Sequence, residues 1–362
     1  MASEQDIDSP ALMAPFSHID MQFFQDLNMD SAEYQFMFQT PNDNSLSTEP
    51  VPNDKLSDSV YPLLDGNQDL PPETLGATGD MDPYLLQHYQ TDDHGTLKFK
   101  QLAIRSVNSD PPVQFLIPHA SLFMQSRQEA GHQPIRTSDA RQQLEKTIPQ
   151  NIGNNLIRLY HKFIAPHYPI FSEESPPDPA KSSPSLLAAI YSISLPFAMY
   201  DDQLCIDMAY DPPNAKNLAG LINTSVASEI HSPTIATVQT LLLLVVRPSF
   251  NPLVSDSSYR WTNMGTLVSA AMNIGLHLDP TTWSIPLAQA YARRRLSFFV
   301  YALDKWLAAS LGRTLYINRS NWLVDELSVE DRHGSSLDAA QWSHIMTYSA
   351  ITTHLATILD RL

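Results

Sequence analysis

Cysteine is what this sequence most conspicuously lacks: Cys205 is the only one in 362 residues. A single thiol can build neither an intramolecular disulfide framework nor a cysteine-cluster zinc site within these residues. Set among mixed polar and apolar neighbours, Cys205 reads as a structural or semi-exposed thiol rather than a redox centre. A basic leader is missing too, since the chain opens MASEQDIDSP, acidic where a secretory signal needs positive charge. The longest apolar run, around Val238 to Val246, contains Gln239 and Thr240 and falls far short of the roughly 20 residues that cross a bilayer. A soluble, intracellular chain is therefore expected, with no membrane partner. Catalytic signatures are also wanting: there is no G-x-S-x-G elbow, H-E-x-x-H, phosphate loop or G-x-G-x-x-G. Asp80 and Asp82 form a D-x-D, but inside a polar acidic stretch that pair carries little meaning. No enzyme activity and no cofactor are expected.

Positive charge is almost absent from the first quarter. Between Met1 and His94, 18 acidic side chains face Lys55 alone, while the remainder balances at 21 against 21. The whole net charge of −17 thus sits in that stretch. Rich also in Pro, Asn, Ser and Gln, it cannot bury enough apolar surface to offset the entropy of ordering. Residues 1–95 are accordingly expected to form a disordered acidic arm.

What is present in the arm is aromatic. Within FSHIDMQFFQDLNMDSAEYQFMFQ, the side chains Phe16, Ile19, Phe23, Phe24, Leu27, Tyr34, Phe36 and Phe38 alternate with Asp20, Asp26, Asp30 and Glu33. The acids keep the aromatics solvated, leaving them free to enter a coactivator groove as a short induced helix. The competing reading is a solubilising tail, which rarely holds so many aromatics.

Beyond the arm, residues 96–150 mix VQFLIP with Pro111, Pro112, Pro118 and Pro134 and read as a linker. It carries one short helix, from Ser138 as N-cap to the Pro149 break. From about 151 the period is helical. Leu156, Leu159, Tyr160, Phe163 and Ile164 recur at three- and four-residue spacing until Pro166. Ser183–Pro184 and Ser232–Pro233 each offer an N-cap and first-turn pair for a helix apolar on most faces, so both helices belong deep in a helical array. A fourth helix, near Tyr259 to Ile274, ends at Gly275, suited to a left-handed position. A fifth opens at Ser284 and Pro286, runs to about Leu311 and closes at Gly312. With no strand-period segment after 151, the fold class is all-α: a multi-helical regulatory domain over 151–362 behind the acidic arm. The last apolar pattern, ITTHLATILDRL, has no closing signal, so either that helix caps the domain or the domain is incomplete at Leu362.

Taken together, these segments resemble the fungal-specific transcription factor domain, the middle homology region of fungal zinc-cluster transcription factors. The likeness covers about 151–320. NLIRLYHKFIAPHYPIF resembles the family's opening helix, and SLLAAIYSISLPF its second. PTIATVQTLLLL is similar to its Gln-centred helix, here with Gln239. SAAMNIGLHLDP is similar to its Gly-Leu-His-x-Asp-Pro turn, carried by Gly275, Leu276, His277, Asp279 and Pro280. RRRLSFFVYALDKWLAASLGR resembles its most specific stretch, with Arg293, Arg294, Arg295, Asp304, Gly312 and Arg313 in place. Within the family the chain looks closest to the TamA-type nitrogen co-activators. Thr314 stands where the family usually has Pro after Gly-Arg, and the family's zinc cluster needs six cysteines where this chain has one.

The resemblance implies a nuclear transcription regulator. Its implied partners are coactivator or mediator-type proteins and a DNA-binding transcription factor, with a homo- or heterodimer as a further option. Zinc would enter only through a cysteine cluster outside these residues, and direct DNA binding by this stretch is not expected. The reading from another class is a non-transcriptional helical scaffold with a solubilising acidic tail.

Single residues carry plainer readings. Arg293 to Arg295 could contact phosphates or serve nuclear import. The plainer account is a solvated helix face with one Arg paired, since three charges do not make a nucleic-acid-binding surface. Asp304 and Arg313 are expected to form an ion pair pinning the end of the fifth helix. Arg293 lies three turns, about 16 Å, from Asp304 and cannot be its local partner. His277, lacking a second ligand at helical spacing, is expected to be a turn residue bonded to backbone.

Overall fold

The computed structural model describes residues 64–65, 72–76, 83–86, 91–92, 95–98, 102–118, 120–132, 136–210, 213–248, 253 and 255–361. The aromatic segment Phe16 to Phe38 lies outside them. The described residues from Leu64 onward belong to one compact unit. It is mostly helical, with a small antiparallel sheet that the all-α expectation did not include.

The sheet has strands β1 (Glu73–Thr74), β2 (Thr96–Lys98), β3 (Leu102–Ser109) and β4 (Pro112–Pro118), in the spatial order β1-β4-β3-β2. Its centre is the β3–β4 hairpin, in which Ser109 faces Pro112 and Leu102 faces Pro118. Asn108 Nδ2 ties the turn by donating to the carbonyls of Asp110 and Pro111. Four prolines suggested a linker, yet Pro111 sits in the turn and Pro112 and Pro118 at the ends of β4, where a missing N–H costs no ladder bond. Val107, Val113 and Phe115 point into a small core with Leu64, Trp283, Ile285 and Ala290. Leu64 and β1, inside the stretch assigned to the arm, are therefore part of the fold.

Ten helices follow among the described residues: α1 (Ala120–Glu129), α2 (Thr137–Thr147), α3 (Gln150–Phe163), α4 (Pro184–Ser194), α5 (Asp202–Tyr210), α6 (Ala215–Glu229), α7 (Ile235–Val246), α8 (Ser257–Asn273), α9 (Leu287–Leu311) and α10 (Ala339–Leu359). Every residue of α4 is buried, and so are nine of α7. That is the placement expected of helices apolar on most faces.

Capping chemistry sets the ends. Ser183 accepts from Leu186 N–H at 3.3 Å and Pro184 occupies the first turn. At α7 the cap is Thr234, two residues beyond the expected Ser232, because Thr234 and Thr237 exchange backbone-to-hydroxyl bonds in a capping box. At α2 the cap position is Arg136, without a side-chain bond, and Ser138 instead donates to Asp139. Gly275 and Gly312 stand at φ 74° and 61°. Past each, the next N–H reaches back into the last turn, Leu276 to Ala271 and Arg313 to Ala308, so both helices close in Schellman fashion. Gly275 has a second constraint: a Cβ there would lie 2.8 Å from Thr74 Oγ1 and 3.0 Å from the Phe115 ring.

The 25-residue α9 is the axis of the second half. It packs against α7, α8 and α10 and against the 3-10 turns Pro280–Thr282 and Glu330–Arg332. Ser284 N–H donates to Val107 O at 2.7 Å, joining the sheet to the turn that precedes α9.

Candidate functional site: the charged seam of the long helix

Arg293, Arg294 and Arg295 follow one another on α9 and so point about 100° apart. No single solvated face can hold all three, and all three are buried, at 3%, 7% and 0% exposure. The expectation of a solvated face, or of a phosphate-contacting patch, is corrected: each cation is held by its own set of internal groups. Arg293 donates to Asp65 Oδ1 at 2.6 Å and to the Ile274 carbonyl, with its guanidinium 5.3 Å from the Trp283 ring centre. Arg294 is held by two carboxylates, Asp331 at 2.7 Å and Asp279, and by the Glu326 carbonyl at 2.9 Å. Burial alone would lower its pKa, but Asp331 and Asp279 together raise it above the usual arginine value. Arg295 meets only carbonyls, those of Asp331 (2.8 Å), His333 (2.7 Å) and Gly334 (3.2 Å). Without a carboxylate in contact, its burial pulls the pKa down to about 10.

The carboxylates on the other side of the seam also fix backbone. Asp331, fully buried, accepts from Ser328 N–H at 2.7 Å and Ser328 Oγ at 3.0 Å. Asp279 caps the turn beginning at Pro280 by accepting from Thr281 N–H at 2.9 Å. Burial works against its ionised form, yet the Thr281 bonds and Arg294 hold its pKa below the usual carboxylate range. The seam therefore staples Asp65, the turn after α8 and the segment 326–334 to one helix.

About two helical turns from its end, α9 carries a second buried pair. Asp304 accepts from Tyr316 N–H and Ile317 N–H, both at 3.0 Å, and from Lys305 Nζ at 3.2 Å; Lys305 also donates to the Ile317 carbonyl. Burial lowers the Lys305 pKa and Asp304 opposes it. Arg313 does not pair with Asp304. It lies over the Trp261 ring at 5.3 Å, and Trp261 stacks on Tyr316 at 4.5 Å. The expected ion pair is corrected to a cation–aromatic stack, because Asp304 is already saturated by the chain that returns after Gly312.

The other motif residues are also structural. Gln239 is buried and donates from Nε2 to Ile170 O at 2.8 Å, tying α7 to the chain after α3. His277 sits in the turn with its main-chain carbonyl accepting from Leu323 N–H at 2.7 Å, but its ring Nδ1 is buried without a hydrogen-bond partner among the described residues, and burial lowers its pKa. Pro280 is buried in the turn. Sequence reasoning missed Glu229 at the end of α6, which accepts from Ser185 Oγ at 2.6 Å and Thr237 Oγ1 at 3.3 Å. Its neighbours stand in the first turns of α4 and α7, where the helix dipoles favour an anion. Burial nevertheless raises its pKa, against the two hydroxyl bonds. Missed as well were Lys305, beside Asp304, and Asp65 and Asp331, whose arginine partners lie 228 and 37 residues away and leave no local signal. Among the described residues no group of three or more His, Cys, Asp or Glu could hold a metal ion. No described helix is long and apolar enough to cross a membrane.

Residues 154–358 match the family model described as the fungal-specific transcription factor domain, more than half of the chain. The chain belongs to this family. It is 24% identical over 269 residues to an uncharacterised transcriptional regulatory protein of Schizosaccharomyces pombe, covering 72% of this chain and 39% of that protein. It is 24% identical over 270 residues to the transcriptional activator protein DAL81 of Saccharomyces cerevisiae, covering 71% of this chain and 25% of that one. A 59-residue stretch, 16% of this chain and 8% of the relative, is 37% identical to transcription factor FBD3 of Gibberella moniliformis. The chain thus spans well under half the length of these relatives, and no solved structure matches it. Membership places it among fungal transcriptional regulators, which are not enzymes, and implies action in the nucleus. In the family's most specific stretch, the arginines, Asp304 and Gly312 hold the fold together.

Proposed function

We propose that this chain is the regulatory and activating part of a fungal RNA polymerase II transcription regulator. Its helical domain serves contacts with a DNA-binding transcription factor or a second regulator, and the aromatic-acidic segment from Phe16 to Phe38 engages coactivator or mediator-type proteins. The observation that supports this most is the fate of the cations in the seam. With Arg293 to Arg295 each committed to an internal carboxylate or carbonyl, the only triple-arginine run contributes no basic surface to a nucleic acid. Reading DNA is then left to a partner or to a module outside these residues. The printed description of DAL81 as a transcriptional activator supports the activating half of the reading, as does the concentration of the whole −17 charge in the stretch that holds the aromatics.

The test is to fuse residues 1–94 to a heterologous DNA-binding module and measure reporter output. Activation is expected, and changing Phe23 and Phe24 to Ala should remove most of it, because aromatic anchors carry such contacts. A silent fusion, or one indifferent to the double change, sinks the activation reading and leaves the helical scaffold in its place.

A further inference from the structure

Two consecutive residues, Leu64 and Asp65, are gripped by α9 in a way that resembles recognition of a short peptide. Leu64 is fully buried among Val107, Val113, Phe115, Trp283, Ile285 and Ala290. Its backbone N–H donates to Gln289 Oε1 at 3.0 Å. The same amide then donates from Nε2 to Asp65 Oδ2 at 2.6 Å, while Arg293 Nη1 donates to Asp65 Oδ1 at 2.6 Å. Gln289 and Arg293 are four residues apart, so they stand on one face of the helix. The socket therefore reads three things at once: an apolar side chain, the main chain that carries it, and the carboxylate that follows.

The base of the socket also has anchors that do not involve its occupant. With Asp65 in place Arg293 is only 3% exposed. Its second donor is bound by the Ile274 carbonyl, and its guanidinium lies 5.3 Å from the Trp283 ring centre and 6.0 Å from that of Phe115. Remove Leu64 and Asp65 and what remains is an apolar hollow with a fixed cation at its rim. That combination favours an anion next to an apolar side chain and disfavours water alone.

We infer that this socket is a peptide-binding site closed in cis by Leu64–Asp65, and that its ligand in trans is a partner segment with an apolar residue followed by a carboxylate. The chain's own dipeptide acts as an intramolecular competitor. A tethered competitor works at an effective concentration in the millimolar range, so the site answers only to a partner that is locally concentrated or that binds additional surface. This inference does not depend on the activation reading, since it concerns only the face of α9 and the sheet.

The probe is a fluorescent peptide with the sequence of residues 57–70, tested by anisotropy against the full chain and against a Leu64→Ala, Asp65→Ala double variant. The double variant should bind it at least about tenfold more tightly than the native chain, and a peptide with Asn in place of Asp65 alone should bind neither well. A double variant that keeps its helical circular dichroism but binds no better than the native chain overturns the inference. Equal binding of the Asp and Asn peptides overturns it too. If the double variant does not fold, hydrogen exchange on the native chain decides. Excess peptide should speed exchange at the Leu64 amide while leaving α7 unchanged, and no change at Leu64 overturns the proposal.

Discussion

Replacing Asp331 with Ala should be among the most damaging single changes in the molecule. Its carboxylate is fully buried and serves two partners, Arg294 at 2.7 Å and the Ser328 N–H and hydroxyl at 2.7 and 3.0 Å. Removing one member of a buried ion pair typically costs about 3–5 kcal/mol, because the other charge stays behind in a poorly solvating site. Arg294 keeps Asp279 and the Glu326 carbonyl, which puts the electrostatic part near the lower end, about 3 kcal/mol. The orphaned Ser328 N–H adds about 1 kcal/mol. The bonds from Arg295 go to the backbone carbonyl of Asp331 and survive the change. A total near 4 kcal/mol is expected, read from the midpoint and slope of urea unfolding followed by helical circular dichroism. Asp331→Leu combined with Arg294→Met should recover only part of the loss, since it removes the unpaired cation but leaves Asp279, the Glu326 carbonyl and the Ser328 N–H without these partners. A destabilisation under about 0.5 kcal/mol, the size of an ordinary surface change, would refute the reasoning.

Two further outcomes follow from the same geometry. Gly275→Ala should cost clearly more than Gly312→Ala: both force a left-handed residue, worth about 1–2 kcal/mol, but only at Gly275 does the new Cβ meet Thr74 and Phe115. Thermal unfolding of the two variants checks this, and equal shifts would mean that the sheet is not seated against the end of α8. Glu229→Gln should gain stability over the native chain as pH rises. The folded-state pKa of Glu229 is raised, so native ionisation is unfavourable once pH passes the unfolded value, about 4.3, and the penalty accumulates up to the raised value. The two proteins should differ most near pH 7 and converge toward their low-pH difference below about pH 4; a difference independent of pH would rule out a raised pKa.

Helix placement was the most legible part of the sequence. Ser183–Pro184, the Pro286 start, Gly275 and Gly312 mark ends by local chemistry alone, and α4 and α7 announce their burial by being apolar on most faces. The error at α7 was local as well: Ser232–Pro233 is a sound start signal, but Thr234 and Thr237 outbid it with two reciprocal bonds. The sheet was not legible, because each strand is short and prolines sit among them. Its apolar residues acquire a core only when Trp283 and Ile285, more than 160 residues after β4, close over them. The aromatic segment from Phe16 to Phe38 lies outside the described residues.

The sequence by itself determined the absence of a cysteine cluster, the confinement of excess charge to the first quarter, and the helical period and family motifs that follow. Those are properties of composition and of neighbours within a turn or two. Only the tertiary structure decided what the arginines do. From the sequence, three adjacent cations are most simply a wetted surface; in the fold, Asp65, Asp279, Asp331 and the carbonyls of 326–334 close around α9 from several directions. A charge is affordable in a core only when its partners are already in place, and here those partners come from 15 to 228 residues away, a distance across which no local pattern can point.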